Sequence, residues 1–103
     1  MSSLAFDLRQ AKATAVNLSD DSLSVDLSDG RTISVPLAWY PRLLLGTPEE
    51  RKNWRLIGQG HGIHWPELEE DVSVENIILG KPSSESAKSL KKWQENRISS
   101  SQP

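Results

Sequence analysis

The chain has 103 residues, 12 of them basic and 14 acidic, for a formal net charge of −2, with 36% hydrophobic residues and no cysteine. The missing cysteine excludes disulfides, thiolate metal sites and a cysteine nucleophile together, and the balance of charge lacks the strongly basic footprint of a nucleic-acid-binding domain. This length fits one domain whose core takes in roughly two thirds of the unfolded surface, and the four tryptophans, each able to bury about 150–250 Å², are expected to carry much of it.

No apolar run approaches the ~20 residues needed to span a bilayer. Residues 1–10 show no basic segment followed by an apolar stretch, so no secretory leader is expected and a cytoplasmic location follows as the default. Residues 1–12 read as an N-terminal extension. The first strand is predicted around Ala13–Leu18, with Val16 and Leu18 on its inner face. Leu23-Ser24-Val25-Asp26-Leu27 and Ile33-Ser34-Val35 alternate cleanly, as strands do with one face buried and one wet.

Parity then sets the registers, because opposed residues of an antiparallel pair share a face. A four-residue loop over 19–22 sets Leu18 opposite Leu23 and Val16 opposite Val25. A two-residue Asp29-Gly30 turn would oppose Val25 and Ser34 and mix the faces. The three-residue loop Ser28-Asp29-Gly30 instead opposes Val25 with Ile33 and Leu23 with Val35, with Gly30 as the left-handed residue of a bulged turn.

Beyond Pro36, the apolar residues Leu37, Trp39, Tyr40, Leu43, Leu44 and Leu45 recur at mixed helical spacings, interrupted by Pro41 and ended by Gly46. They predict a short, broken helix across the sheet. Thr47-Pro48-Glu49-Glu50 has a capping residue, a first-turn proline and the glutamate of a capping box, which predicts a second, brief helix. Trp54-Arg55-Leu56-Ile57 reads as the next strand, Gly58–Gly60 with His61 as a flexible reversal, and Gly62-Ile63-His64-Trp65 as a fifth strand ended by Pro66. Residues 67–71 are predicted to be an acidic loop, and Val74–Leu79 a short helix closed by Gly80. Residues 81–103 form a polar, basic tail, with a helix over 84–97 carrying Ala87, Leu90 and Trp93 on one stripe, and disorder over 99–103. The expected fold is α+β: a small antiparallel sheet, made of a three-strand meander plus a second hairpin, with short helices packed on it. Residues 13–80 make the single domain.

Candidate chemistry is sparse. Gly58-x-Gly60-x-Gly62 has its third glycine one residue early for a dinucleotide fingerprint and runs into a strand instead of a helix, so it is read as a turn needing positive φ. His61, His64 and Glu67 have a tempting spacing, but on a strand an odd interval puts side chains on opposite faces, so no metal is expected. No serine sits in a G-x-S-x-G elbow. Glu69, Glu70 and Asp71 fall in the predicted loop, where solvation keeps carboxyls ordinary, whereas acid catalysis requires one raised by burial. No cofactor is expected, and the chain is not read as an enzyme.

Two charge features remain. Residues 67–75 hold five carboxylates (Glu67, Glu69, Glu70, Asp71, Glu75) and no base, a patch suited to steering a basic protein partner. Residues 81–97 carry five basic and two acidic residues, and their stripe is thin for a free-standing helix. That tail either docks on its own domain or lays Leu90 and Trp93 into a partner's groove. Partner contacts are therefore expected from Trp65, Glu67, Glu69, Glu70, Asp71, Leu90 and Trp93, although Trp39, Trp54 and Trp65 are assigned chiefly to the core. The lysines of residues 88–92 offer an alternative, contact with nucleic acid within a complex.

The segments Asp29-Gly30-Arg31, Pro36-Leu37, Trp39-Tyr40-Pro41-Arg42-Leu43, Glu50-Arg51, Trp54, Gly62-Ile63-His64-Trp65-Pro66 and Glu69-Glu70-Asp71 resemble the bacterial family known as domain of unknown function 2442. The resemblance covers roughly residues 13–80, and its most specific part is Gly62-Ile63-His64-Trp65-Pro66. It implies a compact α+β domain. It also implies an antitoxin-like half of a two-gene system, since such domains are often encoded beside a small toxin-like protein. Other members are fused to a helix-turn-helix domain. This sequence offers no second helix pair after Gly80, so DNA binding by the chain alone is not expected. The family supplies no catalytic residues to carry over.

Overall fold

The computed structural model describes residues 11–101, with side chains through residue 98. Most of the N-terminal extension and the last two residues lie outside that range. Strands β1 (Ala13–Leu18), β2 (Ser22–Leu27) and β3 (Thr32–Pro36) form an antiparallel meander in the order β1-β2-β3. Leu18 opposes Leu23, Val16 opposes Val25, Val25 opposes Ile33, and Leu23 opposes Val35, the registers that side-chain parity requires. Gly30 has φ 97°. Its N–H donates to the Leu27 carbonyl at 3.0 Å, and the Leu27 N–H donates to Arg31 at 2.8 Å, closing the bulged turn. The Arg31 backbone N–H and Nε donate to the Asp29 carboxylate at 3.1 and 2.9 Å, which holds that carboxyl below its usual range.

The broken helix after Pro36 consists of a 3₁₀ turn over Leu37–Trp39 and helix α1 (Pro41–Leu45). The break at Tyr40 lets Leu37, Tyr40 and Leu43 all reach the core. Helix α2 (Pro48–Lys52) starts with the expected capping box. Glu50 N–H donates to Thr47 Oγ1 at 3.1 Å, and Thr47 N–H donates to Glu50 Oε1 at 2.9 Å. Arg51 reaches back from α2, its Nη1 donating to the carbonyls of Gly46 at 2.6 Å and Leu43 at 3.2 Å, which satisfies groups that the end of α1 leaves open.

In the second half the expected hairpin is present, gains one further strand and forms a sheet of its own. Strands β4 (Arg55–Ile57), β5 (Gly62–Trp65) and β6 (Glu70–Ser73) make a separate antiparallel sheet in the order β4-β5-β6. Residues 70 and 71, read as acidic loop, are thus strand: Trp65 opposes Glu70, His64 opposes Asp71, and Ile63 opposes Val72. A four-residue strand with a single apolar residue carries little intrinsic β signal, and the ladder to β5 overrides it. Between β4 and β5, Gly58, Gln59 and Gly60 all have positive φ, as the glycine-rich reversal requires.

Helix α3 (Val74–Leu79) starts on Ser73, whose Oγ accepts from Asn76 N–H at 3.3 Å, and ends on left-handed Gly80. Helix α4 (Ala87–Ser101) starts three residues later than expected and runs past Ser99, where disorder was expected. One core joins both sheets and the helices, centred on the fully buried Leu23, Val25, Leu37, Leu43, Ile63, Trp65, Leu68 and Val74. No helix among the described residues is long and apolar enough to cross a membrane.

Candidate protein-interaction surface

The strand at Glu70–Ser73 redistributes the five carboxylates. Glu70 shares the inward face of β6 with Val72. It lines a polar cleft of about 160 Å³ with Tyr40, Ser73, Asn76, Lys81 and Ser83. Burial pushes the Glu70 carboxyl up to about 7; the Arg42 charge opposes that shift, while Glu85 and Asp71 add to it. The expectation of an ordinary, solvated carboxyl therefore fails at this position, because strand alternation turns it inward. Tyr40 is raised too, first by burial and then by Glu70.

Asp71 points the other way, onto the exposed face of the sheet, where its carboxylate is hydrogen-bonded to Nδ1 of the opposing His64. Glu67 accepts from Asn53 Nδ2 at 3.0 Å. His61, His64 and Glu67 thus have separate surroundings, and among the described residues no three His, Asp or Glu side chains come together to hold a metal. Glu75 is exposed in the first turn of α3.

The tail docks on its own domain. Trp93 is 5% exposed and belongs to the core cluster, with Leu90 partly buried beside it. Ala87, expected on the same stripe, is exposed. Two guanidiniums lie over the Trp93 ring: Arg97 Cζ is 4.7 Å from its centroid and Arg42 Cζ 5.2 Å, within the range of cation–π attraction. Each is held by a carboxylate. Arg42 Nη2 and Nε donate to Glu85 at 2.6, 2.9 and 3.0 Å, and Arg42 Nη1 donates to the Glu69 carbonyl at 3.1 Å. Arg97 donates to Glu50 at 2.9 and 3.1 Å. Arg42 and Arg97 hold the Glu85 and Glu50 carboxyls, respectively, below the ordinary range. Among the described residues, only the Trp93 indole N–H is a buried side-chain polar group without a hydrogen-bond partner.

Trp65 needs correction as a partner contact. It is fully buried, and its indole Nε1 donates to the Arg51 carbonyl at 2.9 Å, so it has no rim to offer. Of the remaining expected residues, Glu67 and Glu69 meet α4 across an open groove of about 730 Å³, walled by Pro66, Glu67 and Glu69 on one side and Trp93, Asn96 and Arg97 on the other. Glu69 adopts φ 53° in the turn entering β6, which aims its carbonyl at Arg42. The clamp residues Arg42, Glu50, Glu85 and Arg97 were not singled out from the sequence. Their pairs span 43 and 47 positions, a separation at which no local pattern operates.

Two three-stranded antiparallel sheets sharing one core, faced by short helices and strapped by a C-terminal helix, define a small α+β domain with an acidic groove at its strap. The chain belongs to the family described as protein of unknown function (DUF2442), which matches residues 13–83. Among solved structures it is similar to a protein of unknown function from Rhodospirillum rubrum, with 25% identity, a TM-score of 0.63, and coverage of 73% of this chain and 93% of that one. It shares its fold with an uncharacterised protein from Chromobacterium violaceum, with 22% identity, a TM-score of 0.61, and coverage of 79% and 74%. No curated protein matches it.

Proposed function

We propose that this chain is a non-enzymatic protein-interaction module of the cytoplasm, an antitoxin-like partner of a small basic protein encoded beside it. The groove between residues 66–69 and α4 receives a basic segment of that partner. The observation that carries this reading is the pairing pattern in the groove. Glu50 is matched by Arg97, whereas exposed Glu67 and Glu69 form no ion pair among the described residues. The groove is lined by apolar side chains as well, Pro66 on one wall and Trp93 on the other. Rim carboxylates of this kind accelerate encounter with a cation-bearing partner more than they slow its release.

The test is co-purification from the native cell at low and moderate salt, followed by binding kinetics with Glu67→Lys/Glu69→Lys. A stoichiometric small basic protein is expected, with association slowed at least tenfold by the double substitution and left less sensitive to salt. Recovery of the chain alone, or unchanged association, overturns the reading.

One observation favours a second reading, a nucleic-acid-associated regulator acting within a complex. Lys88, Lys91 and Lys92 are exposed at i, i+3 and i+4 on one face of α4, a spacing that aligns them for phosphate. Binding of duplex DNA by the complex that falls steeply with added salt is the expected result, and no binding at low salt removes this reading.

A further inference from the structure

Helix α4 is an unusual component of this domain. The family match ends at residue 83, four residues before α4 begins, and the two sheets and all of their shared core except Leu90 and Trp93 lie inside that match. The Rhodospirillum rubrum relative is matched over nearly its whole length by about three quarters of this chain. The helix brings little apolar surface with it. Of its described side chains, Leu90 and Trp93 are the apolar ones packed on the core cluster, and a helix this thin in apolar contacts is marginal alone.

Besides the packing of Leu90, three points attach the helix and the linker before it: Glu85 of the linker on Arg42, Trp93 under two guanidiniums, and Arg97 on Glu50. Both ion pairs retain 10–30% exposure of their side chains, so solvent and salt reach them. The aromatic anchor buries an indole N–H that finds no acceptor, an uncompensated desolvation. The receiving groups all lie within the family-matched region: Arg42 on α1, Glu50 on α2, and the turn at Pro66 and Glu69. The occupant is complementary to the acidic wall in charge: α4 carries Lys88, Lys91, Lys92 and Arg97 against the single acid Glu95, and Arg97 lines the groove with Glu67 and Glu69.

We propose that the face formed by Arg42, Glu50 and the 66–69 turn is a recognition site for a basic helical segment bearing a carboxylate just before the helix, a tryptophan eight residues later and an arginine four beyond that, and that Glu85 with α4 is its resident, displaceable occupant. The site's identity as the partner's docking place rests on the interaction-module reading; its preference for this helix does not. A partner helix of the same pattern exchanges with Glu85 and α4 about a hinge at Ser84, since Ser83 is still tied to the domain by its N–H donating to the Trp39 carbonyl at 3.0 Å.

The test needs no partner. A fluorescently labelled synthetic peptide of residues 83–101 is titrated with the full-length chain and with full-length Glu85→Lys/Arg97→Glu, which weakens the resident helix while leaving the receiving face intact. The variant is expected to bind the peptide at least tenfold more tightly than the wild-type chain, in whose folded state α4 already fills the site. That binding should weaken with added salt and disappear when the peptide carries Trp93→Ala. Full-length Trp93→Ala serves as a second acceptor, with folding followed by circular dichroism. If folded variants bind the peptide no better than wild type, the proposal is overturned.

Native-state hydrogen exchange on the wild-type chain is an independent arm. Amides of α4 are expected to exchange at least tenfold faster than those of β5 and to accelerate selectively in 1 M salt; equal protection of the two elements overturns the proposal. A wild-type chain that dimerises by exchanging α4 between copies would overturn the assignment to a foreign helix. Because the peptide assay uses only this chain, its failure leaves the acidic-groove reading standing, and failure to find a basic partner leaves the peptide result intact.

Discussion

Replacing Glu70 by Gln isolates a carboxyl whose ionisation opposes folding. In the folded chain its pKa is pushed to about 7, against an ordinary value of 4.5. At ~1.4 kcal/mol per unit, the full shift sets a ceiling of about 3 kcal/mol. Solvent reaches part of this carboxyl, so an effect of about 1–2 kcal/mol is expected. For an acid whose folded pKa is raised, the native state retains its proton longer than the unfolded state does. The corresponding stability is present below pH 4.5 and is lost as pH rises through about 7.

The titratable and charged groups around Glu70 are Tyr40 and Arg42 from the segment around α1, Lys81 across the cleft and Glu85 from the linker, with Asp71 adding its charge from the next position of β6. Glu50 and Glu85, held low by arginines, impose the opposite trend, losing stability as pH falls. Both remain in the variant and largely cancel in the difference. Urea denaturation of wild type and Glu70→Gln from pH 4.5 to 8 should show the variant gaining about 1–2 kcal/mol relative to wild type across that window. By thermal melting the gain is about 5–10 °C for a domain of this size. Curves that stay parallel across the range would refute both the burial of this carboxyl and the strand assignment that places it there.

Two further expectations concern the backbone. Gly60 and Gly30 have nearly equal positive φ, but a Cβ on Gly60 would lie 2.8 Å from the Ala13 carbonyl oxygen, whereas one on Gly30 meets open space. Gly60→Ala should therefore cost about 2–4 kcal/mol and Gly30→Ala about 1 kcal/mol in chemical denaturation; equal losses would show that the packing of the reversal against β1 is not as described. Thr47→Ala removes one half of the capping box and should cost about 1 kcal/mol, read as a lower denaturation midpoint at unchanged slope.

Much of the first sheet was legible in the sequence because its determinants are local. Alternation at Leu23, Val25 and Leu27 and at Ile33 and Val35, with a parity argument at Asp29-Gly30, specifies strands, faces and turn, and the registers agree residue by residue. The capping box at Thr47 and the left-handed stop at Gly80 are similarly local. At the candidate site, Glu67 and Glu69 keep the exposure that a run of like charges predicts. Trp93 was legible as a residue in need of burial, but the sequence left open whether its own domain or a partner would bury it.

What the sequence determined through spacing is the α+β class, the meander with its bulged turn and the short capped helices; the family resemblance, over roughly residues 13–80, rested on matched motifs instead. Only the tertiary structure decided the third strand of the second sheet, the inward turn of Glu70 and the docking of α4. In each case the deciding partner is elsewhere in the fold. Strand β6 exists through its ladder to β5, Glu70 is raised by the cleft wall around Tyr40, and Trp93 is held by arginines that are themselves fixed by Glu50 and Glu85. A local pattern states what a residue prefers; the energy that overrides it comes from contacts formed only once the chain has closed on itself.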